Sequence, residues 1–186
     1  MTWARRSVRG ESGAPPSSAS RLRRVLIATI SDTHLPRGKR RLPDDCVERL
    51  KQADLILHAG DISTVATLED IERLGPPVQA VQGNVDDAEL RRRLPEELHV
   101  DAEGARIAMV HDGGPSKGRL NRMRKRFPQA HAVVFGHSHI PLHEEADGFQ
   151  IFNPGSPTDR RRQPKHTMGL ARASNGTVEF ELIEVG

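Results

Sequence analysis

From Val25 onward the chain alternates short apolar runs with polar breaks, whereas its first 22 residues show no apolar period. Val25–Ile30 (VLIATI), Leu55–Leu57 and Val78–Val81 are short, apolar and carry β-branched members, as expected of buried strands. The stretches between them predict helices. Asp44–Lys51 opens on Pro43-Asp44, a start signal, and Thr64–Leu74 ends at Gly75-Pro76. Such a β-α-β-α-β opening predicts an α/β fold with its sheet covered by helices.

The second half has a different rhythm. Arg106–Val110 and Ala132–Phe135 read as apolar strands. A helix over Ser116–Phe127 separates them, with Leu120, Met123 and Phe127 at helical spacing. Beyond Pro141, Leu142–Glu145, Phe149–Phe152, Met168–Ala173 and Val178–Glu184 read as antiparallel hairpin strands, with turns at Asp147-Gly148 and Asn175-Gly176. Two mixed sheets, packed against each other between helices, account for both halves.

Residues 1–22 are rich in Ser, Pro, Gly and Arg and cannot bury enough surface to offset chain entropy. They are expected to form a disordered basic tail, leaving one domain over residues 23–186, a size that suits a single core. The net charge of +3 is unevenly spread: residues 1–24 carry six arginines against Glu11, and the remainder is net acidic. The basic character therefore belongs to the leading segment. Arg5-Arg6 is followed by no apolar h-region, and no run approaches the ~18 apolar residues of a membrane span. Neither an export signal nor a membrane partner is expected, and cytoplasm is the expected compartment. The lone Cys46 excludes an intrachain disulfide and a cysteine-built zinc site.

Chemistry collects where the apolar strands stop. Ser31-Asp32-Thr33-His34 follows VLIATI, and Gly60-Asp61 follows DLILHA. Gly83-Asn84 follows VQAVQ, His111 follows RIAMV, and Gly136-His137-Ser138-His139 follows AVVF. Strand ends of an α/β sheet face a common crevice, so five of them deliver carboxylate, imidazole and amide groups to one rim. That donor set suits borderline divalent metals. Seven donors are too many for one such ion and suit two ions sharing a bridging carboxylate. Asp32-x-His34 and His137-x-His139 have the spacing at which two side chains of one turn converge on a cation.

The ordered set D-x-H, G-D, G-N, H and G-H-x-H resembles the calcineurin-like metallophosphoesterase superfamily, and most closely its small YfcE-like phosphodiesterase branch. The likeness runs from about Val25 to the C-terminus and includes Asn153-Pro154-Gly155-Ser156. It implies a four-layer α/β/β/α sandwich with two mixed sheets. It also implies two divalent cations, manganese first, with nickel, cobalt, iron or zinc compatible. By the same likeness Asp32, His34 and His139 hold one ion, Asn84, His111 and His137 hold the other, and Asp61 bridges. Asp61, Asn84 and His111 thereby act in catalysis through the metals. Two ions about 3.5–4 Å apart clamp a phosphate and bring a bound water to a pKa of roughly 7, so a bridging hydroxide attacks phosphorus in line. Larger members place a histidine directly after the Gly-Asn, beside the leaving group; here that residue is Val85. The substitution disfavours protein-phosphatase activity and poor alkoxide leaving groups.

Other residues receive humbler roles. His58 reads as a buried histidine hydrogen-bonded to backbone or to a ligand, and Asp86 and Asp87 as caps of a short helix. Arg37, Lys39 and Arg40–Arg41 follow the D-x-H loop, and Arg160–Arg162 follow the N-P-G-S turn. From these groups Arg37 and Arg160 are taken as candidate phosphate contacts. The arginines between Arg119 and Arg126 read as the solvated side of an amphipathic helix.

The resulting expectation is a dinuclear-metal phosphodiesterase acting on small or nucleotide-like phosphodiesters, with a homo-oligomer compatible. One alternative is a non-catalytic metal-binding scaffold of the same fold, the use a retromer subunit makes of it; loss of a ligand would favour that reading, and all seven positions are filled. The other is a nuclease steered by the basic tail, although only 3% of residues are aromatic and there is no tyrosine for base stacking. A nuclease of that kind binds nucleic acid in a strongly salt-dependent way and loses the binding when residues 1–22 are removed. A truncated protein that binds as well as the full chain ends the nuclease reading.

Overall fold

The computed structural model describes residues 24–186, so the basic segment 1–22 lies outside the described residues. The elements run β1 (Val25–Ile30), α1 (Asp44–Gln52), β2 (Leu55–His58), α2 (Val65–Glu72), β3 (Val78–Ala80), α3 (Ala88–Arg93), β4 (Glu97–Ala102) and β5 (Ala105–Val110). They continue with α4 (Arg119–Arg126), β6 (Ala132–Val134), β7 (Leu142–Ala146), β8 (Phe149–Asn153), β9 (His166–Ser174) and β10 (Thr177–Val185). No described helix is long and apolar enough to cross a membrane.

Two five-stranded sheets form, in the orders β10-β9-β1-β2-β3 and β4-β5-β6-β8-β7. Both are mixed: β1, β2 and β3 run parallel and β9 antiparallel to β1. In the other sheet β5, β6 and β8 run parallel, with β4 and β7 antiparallel at the edges. The sheets face each other through Ile27, Leu57, Val81, Ile107, Met109, Val134, Ala171 and Val178. Because strand side chains alternate, Ala28, Ile30 and Ile56 point outward, where Cys46 and Leu50 of α1 and Ile71 of α2 cover them. On the opposite outer face Met123 of α4 and the following Phe127 cover Ala108, Val110, Val133 and Ile151. The result is the expected four-layer α/β/β/α sandwich. Each fully buried aliphatic side chain contributes about 1.5–3 kcal/mol, and the three apolar layers stack such residues through the whole thickness.

Two features depart from the reading of the sequence. The strand β4 was not expected. Its residues, ELHVDA, alternate between exposed and half-buried positions instead of forming an apolar run, and it pairs with β5 across a tight turn at Glu103-Gly104, where φ is 51° and 80°. Helix α4 begins at Arg119 and not at Ser116, because Gly118 sits in the left-handed region (φ 69°) and ends helical continuity toward the N-terminus. Its arginines also do more than solvate. The guanidinium of Arg119 caps the carbonyl of Gly114 at 2.8 Å and Arg122 reaches the carbonyls of Pro115 (2.6 Å) and Gly113 (3.2 Å), pinning the loop that leads out of the His111 strand.

Cys46 is fully buried against the β1–β2 face, and burial pushes its thiol up to about 12. The thiolate is the reactive form, so the folded chain resists thiol reagents. Ellman's reagent at pH 8 is expected to leave the native protein unmodified and to titrate one thiol after unfolding in guanidinium. Rapid reaction without denaturant would show that α1 opens away from its sheet.

Candidate metal centre

The parallel strands β1 and β2 continue to pair past their formal ends. The amide of Asp32 donates to the carbonyl of Gly60 (3.0 Å) and that of His34 to the carbonyl of Asp61 (3.0 Å). In the other sheet, Gly136 N donates to the carbonyl of its neighbour His111 (2.9 Å), and Nδ1 of His111 reaches across the sandwich to the carbonyl of Ala59 (2.7 Å). The strand-end loops of both sheets therefore meet on one side. Closeness of this kind forbids side chains. A Cβ on Gly136 would lie 1.9 Å from Ser31 Oγ, and one on Gly83 would lie 2.1 Å from the amide nitrogen of Asp61. The glycines of the G-N and G-H-x-H motifs are thus needed for the approach of the neighbouring donor.

All seven expected donors are brought together. Nε2 of His34 and of His139 are 3.1 Å apart with their rings stacked, and Asp32 Oδ1 is 3.4 Å from His139 Nε2. In the adjoining group, Asn84 Oδ1 lies 2.8 Å from His137 Nδ1 and 3.1 Å from His111 Nε2. Asp61 stands between the two groups. Its Oδ1 faces His111 Nε2 at 3.3 Å and its Oδ2 faces His34 Nε2 at 3.7 Å. The ligand atoms of Asp32, His34 and His139, and again those of Asp32, Asp61 and His111, lie within 4.8 Å of one another. Asp32 thus borders both groups.

The chemistry of this crowd fits cations. Nδ1 of His139 donates to the carbonyl of Asp159, and Nδ1 of His111 to that of Ala59, so each ring turns its Nε2 inward. Burial pushes Asp32 up to about 7, against the pull of His111, Ser31 and the amide of His137. Burial drives His34 down to about 4 and lowers His139 as well, which keeps both imidazoles neutral, the form that binds a metal. Asp61 is also buried, which works to raise it, but the hydrogen bond and charge of His111, the Val85 amide and His34 hold it at about 2. Burial works to lower His111, and Asp61 overrides it and raises the imidazole. A carboxylate held anionic between two Nε2 atoms can share its two oxygens between neighbouring cations, and a cation there would displace the proton that Asp61 favours on His111.

Backbone conformation concentrates here too. Asp32, His34, Asp61, His137 and His139 all have positive φ, between 48° and 67°. Each costs an L-residue about 1–3 kcal/mol and persists only where surrounding structure enforces it. The enforcement comes from the segment after β8. Ser156 Oγ donates to the carbonyl of Asp32 (2.8 Å) and Thr158 Oγ1 to that of Thr33 (2.5 Å). Asn153 Nδ2 donates to the carbonyl of Gly136 (2.9 Å) and to Ser138 Oγ (3.2 Å). The N-P-G-S turn therefore fastens the D-x-H loop to the G-H-x-H loop. It carried a visible sequence signal, but its members act through main-chain groups, so residue type alone did not disclose the role.

Several other placements differ from expectation. His58 is buried and bonded to a side chain, Thr33 Oγ1 at 3.1 Å, and so backs the D-x-H loop from beneath. Asp87 caps α3 by accepting from Leu90 N (2.7 Å), whereas Asp86 accepts from Ser63 N (2.7 Å) and Gly83 N (2.6 Å) and ties two donor loops together. Among the arginines, Arg160 turns back onto the carbonyl of Gln163 and Arg37 stands exposed in its loop. The guanidinium brought to the donors is that of Arg161, 3.4 Å from His139 Nε2 and 3.4 Å from Asp159 Oδ2, an oxygen that Arg40 shares at 3.0 Å.

Residues 25–176 match the model of the calcineurin-like phosphoesterase superfamily domain. The chain is 31% identical over 164 residues to a probable metallophosphoesterase of Methanothermobacter thermautotrophicus, a match covering 87% of this chain and 94% of that protein. Vacuolar Protein Sorting 29 from Cryptosporidium parvum superposes with a TM-score of 0.71 at 21% identity, over 88% of this chain and 98% of that one. A structure described as a novel archaeal phosphodiesterase superposes with a TM-score of 0.65 at 18% identity, over 85% and 99% of the two chains. At these identities both structures attest the fold.

Ser156→Ala removes the bond that holds Asp32's carbonyl, and with it the acceptor of the Thr158 and Asp159 amides, while leaving every donor side chain in place. We expect divalent-metal affinity, measured by calorimetry, to fall roughly 10–100-fold, the usual effect of removing an outer-shell partner. Because two buried amides lose their acceptor, the thermal stability of the metal-free protein should fall as well, and affinity is measured at a temperature at which the variant remains folded. Unchanged affinity would show that the buckle does not position the donors.

Proposed function

The chain belongs to the calcineurin-like phosphoesterase superfamily, and from that membership we propose that it hydrolyses small or nucleotide-like phosphodiesters with two divalent cations, manganese foremost. The observation that carries the reading is the division of Asp61, one carboxylate oxygen turned to His111 and the other to His34. A carboxylate so placed between two imidazole groups is the arrangement a bridging ligand requires. Asp32, His34 and His139 would hold one ion and Asn84, His111 and His137 the other. When bound, such a pair supplies Lewis acidity and a water acidified to a pKa of roughly 7.

The chain's own residues do the rest. Asp32, His34, Asp61, His111 and His139 are buried, which fixes the donors and excludes competing water from their inner side. Asn84 and His137 are exposed, so the site opens outward. An open mouth admits a phosphorus that carries two organic arms, which supports a diester over a monoester. Asn84 contributes a neutral amide and leaves more positive charge for the phosphate. Arg161, oriented by Asp159, stands beside the donors as a guanidinium for a phosphate oxygen. Val85 occupies the place directly after Asn84 and offers no proton, so leaving groups that depart as stable oxyanions are favoured. The structural neighbour described as an archaeal phosphodiesterase is consistent with this preference.

The test is metal analysis of protein purified without chelator, followed by assay with manganese of bis(p-nitrophenyl) phosphate and of p-nitrophenyl phosphate. Two ions per chain, turnover abolished by EDTA and faster hydrolysis of the diester are expected. Asp61→Asn should cut kcat/KM at least about 100-fold and reduce metal occupancy, exceeding the effect of an outer-shell change. Retained activity in that variant would remove Asp61 from the bridge, and a faster monoester would overturn the diester preference.

A further inference from the structure

Among the described residues, the large apolar side chains that stand clearly exposed are Val85 (45%), Ile140 (51%) and Leu182 (40%). An isolated exposed aliphatic residue is ordinary on a soluble protein, so their number means little. Their placement does not follow that default. Val85 comes directly after Asn84 and Ile140 directly after His139, so two of the three abut a candidate metal donor. The two donors belong to different groups, Asn84 with His111 and His137, His139 with His34 and Asp32. One exposed aliphatic residue therefore follows a donor of each half along the chain.

Neither residue belongs to the four apolar cores, so packing does not account for its character. Both are nonetheless held firmly by their backbones. Val85 N donates to Asp61 Oδ1 at 3.0 Å, the oxygen that faces His111. Ile140 N donates to Ser138 Oγ at 3.3 Å, and that hydroxyl in turn receives Asn153 Nδ2. The backbones of both residues are thus held within the donor-bearing loops, and their exposed side chains leave those loops into solvent.

We infer that Val85 and Ile140 are two apolar lips that select phosphodiesters whose organic arms are apolar next to the ester oxygen. The inference rests on the phosphodiesterase reading above and gives that reading a substrate class. A tetrahedral phosphorus held among the donors sends its two arms in different directions, and a lip beside each donor group meets an arm on either side. An apolar arm covers the lip and removes its surface from water; a hydrated or charged arm would lose solvation there with no polar partner from Val85 or Ile140. Specificity then comes from the arms, while the donors and Arg161 take the phosphate that all such esters share.

The experiment measures binding to the manganese-loaded full chain of two probes that cannot be hydrolysed, diphenylphosphinate and dimethylphosphinate. Wild-type protein is expected to bind the diphenyl probe roughly tenfold or more tightly, the scale of a few buried apolar groups. In the Val85→Ser/Ile140→Ser double variant the ratio of the two Kd values should collapse to near one, with metal content and circular dichroism unchanged. Leu182→Ser, which removes an exposed aliphatic side chain outside the donor loops, should keep the wild-type ratio. A double variant that keeps the ratio overturns the lips, and if bis(p-nitrophenyl) phosphate is still hydrolysed, the phosphodiesterase reading survives without them. Absence of both probe binding and diester turnover in the wild type would instead sink the phosphodiesterase reading and the lips with it.

Discussion

Electron-rich atoms repel one another unless positive charge lies among them, and this constraint organises the end of the sandwich where the strands stop. Around Asp61 the imidazoles of His34 and His111 turn their Nε2 atoms toward opposite carboxylate oxygens, and His139 and Asn84 crowd in behind them. Such a cluster is poor as a purely structural device. A protein seeking stability alone would fill this end with apolar side chains, as it fills its three apolar layers. Burial makes the point sharper, since Asp32 is driven toward neutrality by the same desolvation that a cation would offset.

The cost of assembling these donors is distributed over the fold. Five of the seven adopt left-handed backbone conformations, and the adjoining loops approach until glycine is the only residue that fits at positions 83 and 136. Strain of this kind survives where neighbours over-determine it. Asn153, Ser156 and Thr158 provide that determination through carbonyl groups of the D-x-H and G-H-x-H loops, and Asp86 provides it between the loops of Asp61 and Asn84. The rigid sheets bring the loops near, and this polar lacing sets the final angles. The long sequence separation between Asp32 and Ser156 means that the site closes only when β8 and the following turn have docked.

How much of this was legible beforehand depended on which force placed each residue. Buried strands such as VLIATI and AVVF declare themselves because both faces must be apolar, and their polar terminators mark the donors. The half-exposed edge strand β4 declares nothing, since its ELHVDA pattern satisfies a hairpin partner and not a core. The helical arginines looked like solvation because a guanidinium that caps a loop carbonyl has no signature in the sequence. Choosing among Arg160, Arg161 and Arg162 was equally closed to pattern reading. Arg161, in the left-handed region (φ 52°), is the one whose guanidinium meets His139, and nothing in three consecutive arginines encodes that choice. His58 illustrates the converse: its burial was readable from the strand around it, its partner Thr33 was not.

The two halves of the donor set are not equivalent, and the asymmetry has a topological origin. Asp32, His34 and His139 lie under the Asn153–Asp159 segment, whose Asp159 carbonyl also fixes the His139 tautomer, so this half is enclosed. Asn84 and His137 have no such cover and face outward beside the exposed Val85. One half is therefore covered and the other open. Arg161 stands at the covered half, 3.4 Å from His139 Nε2, with its own side chain more than half exposed. Arg161 follows the covering segment closely and is held by its Asp159, so covering one donor group and placing a guanidinium beside it have a single structural cause.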